Sequence, residues 1–109
     1  MPALNQLAIY YLDVSKRGAA GKKIDRQALE LAALVCSQAI RKEPRYAPVH
    51  NTAGLVEAEL GNLSRAVSEF NEARRLDPSF FEAHMNSAAV NLRFRGFKNG
   101  SDKVTNKMV

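Results

Sequence analysis

Two histidines, His50 and His84, stand 34 residues apart, and Cys36 is the one cysteine of the 109-residue chain. Imidazoles at equivalent places in a repeating structure could stack and share a ligand or a metal ion. Zinc, however, needs at least a third protein ligand, and no cysteine and histidine cluster here has zinc-ligand spacing. Cys36 has no histidine neighbour in sequence and lies on the inward stripe of an amphipathic segment, so it reads as an inert buried thiol. A single cysteine also excludes an internal disulfide. The chain carries no GxSxG elbow, no phosphate-binding loop and no HExxH pair. The expectation is a non-catalytic protein without metal or cofactor.

The elements that must position these residues are those of one compact domain, 46% hydrophobic and 25% charged, far from the composition of a disordered chain. The longest apolar run, Leu31 to Cys36, falls well short of the ~20 residues of a membrane-spanning helix. The N-terminus shows neither a basic flank before an apolar stretch nor a small-residue cleavage site, so no secretory signal is expected. A cytoplasmic location is the default, and the bacterial envelope the alternative if a signal has been removed. Sixteen basic against eleven acidic side chains leave a net charge of +5. Arg41, Lys42, Arg45, Arg74 and Arg75 fall at the C-terminal ends of helical segments, where cations complement the helix dipole. Lys16, Arg17, Lys22 and Lys23 form the densest patch, and Arg93-Phe94-Arg95 interleaves charge with an aromatic, as single-stranded nucleic acid can exploit. No groove-reading or RNA-stacking motif is complete, so an electrostatic nucleic-acid or anionic-surface binder stays the alternative reading.

Internal self-similarity sets the architecture. Aligned at Glu43-Pro44 and Asp77-Pro78, the sequence repeats with a period of 34 residues: Leu29 falls on Leu63, Ala32 on Ala66, Cys36 on Phe70, Ala39 on Ala73, and His50 on His84. Apolar residues three and four apart, each run closed by a proline, predict helices over about 26–42 and 64–76. A second helical pattern follows each proline, from near Pro48 to Gly61 and over about 80–95. A first helix spans about 3–17, joined to the next by a long connection around 18–23. Asp25 is placed to cap a helix whose staple would be Ile24 with Leu29, and Ser79 with Glu82 has capping-box spacing. Gly61 can supply the left-handed residue that ends one helix before Asn62 begins the next.

The set Gly54, Ala66, Phe70, Ala73 and Pro78 resembles the tetratricopeptide repeat in order and spacing, with residues 47–80 as its clearest unit. The preceding unit keeps Ala32, Ala39 and Pro44 but has Cys36 where that family usually has an aromatic, and twelve extra residues before Ala32. The resemblance covers residues 3–97 and implies an all-α, right-handed superhelical array of antiparallel helix pairs: five helices, about two and a half units. A faint similarity to bacterial envelope and motility members of the family goes with it. The family's first helices line a concave groove that holds a peptide or partner helix. Carried over, the groove rows are Asn5, Asn51 and Met85; Ile9, Leu55 and Ala89; and Asp13, Glu59 and Arg93, flanked by Thr52, Asn86 and Leu92. Asparagine amides could pair with a peptide backbone above a shallow aliphatic floor. Glu82 and Asn86 stand where members that grip a C-terminal carboxylate have lysine and arginine, so that specialisation is not expected. The implied function is a protein-protein interaction scaffold or adaptor.

One period after Ala66, Phe70 and Ala73 stand Gly100, Val104 and Lys107, too polar a set to offset the entropy of ordering a partner helix. Residues 98–109 are therefore expected to be a disordered tail. Val90, Phe94 and Phe97 would lack an intrachain cover, which favours self-association into a homo-oligomer. The repeat stopping within a unit also fits a piece of a longer array.

Overall fold

Five helices make up the computed structural model, which describes residues 2–17 and 25–105, with side chains described for 3–17 and 25–93. They are α1 (Pro2–Arg17), α2 (Arg26–Lys42), α3 (Ala47–Leu60), α4 (Leu63–Leu76) and α5 (Phe81–Thr105), with no strand among the described residues. The protein is all-α, as the periodicity predicts. Asp25 caps α2, its carboxylate accepting from the Ala28 amide at 3.2 Å, while Ile24 lies outside the described residues. Pro48 sits in the first turn of α3, where a missing amide hydrogen costs nothing. Gly61 ends α3 at φ +90°, and its left-handed backbone lets α4 turn back against α3 after a two-residue break.

Two features of α5 differ from expectation. The capping box does not form: Asp77 accepts from both the amide and the hydroxyl of Ser79 in a local turn, and Phe80 precedes the helix. The helix also continues past 95 to Thr105, into the stretch expected to be disordered, of which 106–109 lie outside the described residues. No proline interrupts residues 81–105. Gly96 and Gly100 cost only about 1 kcal/mol each relative to alanine in a helix interior.

The 34-residue period is written into the hydrogen bonds of the turns. Glu43 N–H donates to Ala39 O and Asp77 N–H to Ala73 O; Tyr46 N–H donates to Glu43 O and Phe80 N–H to Asp77 O. Each of the turns before α3 and α5 is thus closed by the same bonds.

Packing alternates: α2 lies against α1 and α3, and α4 against α3 and α5. Thr52 bonds Asn5 near the starts of α3 and α1, and Lys16 pairs with Glu59 near their ends, so these two helices run parallel. The core around α1–α3 is built from Leu12, Leu29, Ala32, Cys36, Val49 and Val56, and a second cluster joins Ala58, Ala66, Phe70 and Val90. Val90, expected to lack an intrachain partner, therefore has one. It stands one period after Val56 and, like it, faces the preceding helices.

Phe70 is fully buried, and a Cβ added at Gly54 would lie 2.5 Å from its ring. Only glycine permits that approach of α4 to α3. Gly54→Ala is expected to destabilise the fold by about 1–3 kcal/mol through overpacking, read from the urea midpoint at unchanged slope. An unchanged midpoint would contradict the close approach.

Candidate functional site: the row of α1, α3 and α5

The rows foreseen on the first helices come from residues four apart on one helix face, which is why they can form stripes at all. Side-chain hydrogen bonds fix how the helices stand beside one another. Thr52 Oγ1 donates to Asn5 Oδ1 at 2.7 Å, tying α3 to α1, and Asn86 Nδ2 donates to Asn51 Oδ1 at 3.0 Å, tying α5 to α3. Asn5, Asn51 and Thr52 are buried, so their polar groups hold the row together. Ile9, Leu55, Glu59 and Asn86 are half-buried, whereas Asp13, Met85, Ala89, Leu92 and Arg93 are exposed. Glu59 pairs with Lys16 across α1 and α3 at 3.5 Å. Of the residues expected to self-associate, Val90 is buried on the opposite side of α5, and the side chains of Phe94 and Phe97 lie outside the described residues.

The two histidines do not meet. Each Nε2 instead bonds the carbonyl of the proline six residues earlier, His50 to Pro44 O and His84 to Pro78 O, both at 2.7 Å. They fasten the start of a first helix to the turn before it. His50 makes a second bond, Nδ1 to Glu69 Oε1 at 2.8 Å, reaching from α3 to α4. Both of its partners are acceptors, so only the doubly protonated ring can donate to both. The Glu69 bond is the main cause that raises the His50 pKa above its ordinary value of 6.5; burial opposes it, and the Pro44 carbonyl reinforces it.

Beside this pair a small cleft of about 80 Å³ opens between α2, α3 and α4, lined by Cys36, Ile40, Val56, Glu57 and Glu69 among others. Burial first, then the carboxylates of Glu69 and Glu57, push the Cys36 thiol up to about 12. At neutral pH it is protonated and a poor nucleophile, in line with the inert thiol expected. Among the described residues no group of three or more histidine, cysteine or acidic side chains is placed to hold a metal ion. No described helix is long and apolar enough to cross a membrane.

The sequence gives no sign of the His50–Glu69 pair. Glu69 stands where the preceding period has Val35, so it shows only as a charge on an amphipathic helix. Thr52 and Asn86 sit on the predicted flanks, but the bonds they make depend on the spacing between helices.

Among known proteins, the chain is similar to a rice (Oryza sativa subsp. japonica) protein described as Protein SGT1 homolog, with 33% identity over 69 residues. The match takes in 63% of this chain and 19% of the rice protein, so the chain spans about a fifth of that relative's length. No family model and no solved structure matches it.

Because the folded-state pKa of His50 is raised, the stabilisation it provides is complete below the unfolded value and is lost as pH rises through the folded one. Unfolding free energy is expected to fall as pH rises from about 6.5 through the raised folded-state value, and His50→Gln to flatten that profile. The check is urea denaturation at a series of pH values. An identical slope in the variant would show that His50 does not carry the dependence.

Proposed function

We propose that the chain is a non-catalytic interaction module of tetratricopeptide type, about two and a half units of a right-handed array. Its row of first helices takes up a peptide or a partner helix. The observation that carries this reading is the parallel placement of α1 and α3, with α5 tied to α3 by the Asn51–Asn86 bond. That arrangement leaves Ile9, Leu55, Met85 and Ala89 partly or fully open along one side of the row. An apolar floor bordered along one edge by Asp13, Glu59 and Arg93 suits a mixed-sign amphipathic segment better than a uniformly charged ligand. The similarity of 69 residues to the rice protein adds support for a recurring module.

Asn5 and Asn51 contribute indirectly. Their carbonyl oxygens are engaged between helices, so they keep the floor rigid, and a rigid surface loses less entropy on binding. The basic residues near the helix ends are partly engaged as well: Arg75 pairs with Glu72, and Arg26 with Glu30.

A random peptide library selected on the immobilised protein would supply a ligand for fluorescence anisotropy. Leu55→Ala and Ala89→Arg are each expected to weaken binding about tenfold or more, with Leu34→Arg on α2 leaving it unchanged. Circular dichroism would check that each variant is folded. Affinity insensitive to both groove substitutions would remove the assignment. Tight, steeply salt-dependent binding of mixed-sequence RNA or DNA would favour a phosphate-binding role instead.

A further inference from the structure

On α5 the side turned away from α3 and α4 carries Phe81, Met85, Ala88 and Leu92, spaced four, three and four residues apart. Phe81 is 69% exposed, Met85 56% and Leu92 72%, and Ala88 is exposed between them. One period earlier the same positions are Ala47, Asn51, Gly54 and Ala58, all buried on α3. The stripe is therefore the counterpart of a covered surface, and its residues are larger and more apolar than those they replace.

Ala88 narrows the cover without fixing it: on α1 the corresponding Ala8 is fully buried against α2, which has Cys36 in place of the ring. On α3 the corresponding Gly54 admits the Phe70 ring only because it has no Cβ. Ala88 has one, so a helix built like α4, with a ring at this place, cannot approach α5 in the same way. A flexible, unbranched side chain can. The stripe itself supplies one: read against its own reverse, Met85 falls opposite Ala88, and Phe81 opposite Leu92. The same antiparallel register brings Glu82 near Arg93 of the opposite copy, twice, along one edge. Both residues are exposed, as are Phe81, Met85, Ala88 and Leu92 beside them among the described residues.

We propose that two copies of this chain pair through α5, antiparallel about a two-fold axis. Phe81, Met85, Ala88 and Leu92 form the seam and Glu82–Arg93 the charged edge. Such an interface is isologous, each patch meeting itself, and the four, three, four spacing suits helices that interlock along a seam. A single stripe covers roughly half of the 800 Å² per partner of a standard interface, so the pair should be weak and reversible. Glu82 and Arg93 lie on the flank of α5 that also carries Ala89. Met85 and Arg93 also border the proposed groove, so pairing and ligand binding draw on the same residues.

Sedimentation equilibrium of the full chain tests this. The wild type is expected to shift from monomer to dimer between micromolar and millimolar concentration, and Leu92→Glu to remain monomeric with an unchanged circular dichroism melt. Glu82→Arg and Arg93→Glu should each weaken dimerisation about tenfold or more, and the double exchange should restore it. A wild type that stays monomeric at millimolar concentration would overturn the proposal, and so would a dimer indifferent to Leu92→Glu. Failure of the double exchange to restore pairing would overturn the antiparallel register.

Discussion

The approach of the Phe70 ring to the backbone at Gly54 sets the separation between α3 and α4, and the remaining packing is arranged around that distance. With the ring seated, Ala66 and Ala73 can lie within the same interface because neither projects beyond a methyl group. The Glu69 side chain is then carried to the His50 ring, and Val90 of α5 closes over Phe70 from the other side. A fully buried phenylalanine replaced by alanine typically costs about 3–5 kcal/mol. In a chain of 109 residues that is a large part of the usual margin of stability.

Helix existence and order were legible because proline, glycine and apolar spacing act locally. Pro44 and Pro78 end helices whatever surrounds them, Gly61 takes up the left-handed turn, and Asp25 caps α2 as its chemistry suggests. The unused capping box at Ser79 and Glu82 shows how a local rule fails. Asp77, two residues earlier, competes for the same hydroxyl and amide at short range. The extension of α5 to Thr105 was illegible for another reason, since a polar composition argues against a packed partner helix but does not break a helix already under way.

The candidate site was legible only as a set of faces. Helical spacing puts Asn5 with Ile9 and Asp13, and Asn51 with Leu55 and Glu59, on common sides. It does not say whether an asparagine on such a side looks outward or reaches the next helix. That depends on how closely α1, α3 and α5 stand, which small residues elsewhere decide. For the same reason Val90 read as uncovered: helical spacing places it on a side of α5, but only the closeness of α4 and α5 brings it onto Phe70.

The two interfaces that hold first helices to the preceding pair are not equally dry. Where α2 meets α3, Ile40 packs near Ala53; one period on, Arg74 and Ser87 take those places, and the guanidinium reaches Asn71 at 2.8 Å and Ser87 at 3.1 Å while its Nε is buried without a partner. A seam closed by directional bonds and one unsatisfied donor gains less from excluding water than an aliphatic one. Cohesion therefore declines toward α5, and thermal opening of the molecule should proceed from that end, like a zipper whose last teeth are cut shallow. With the Phe70–Val90 contact still in place, α5 is then the described helix whose backbone hydrogen bonds should open first, ahead of the α1–α4 body.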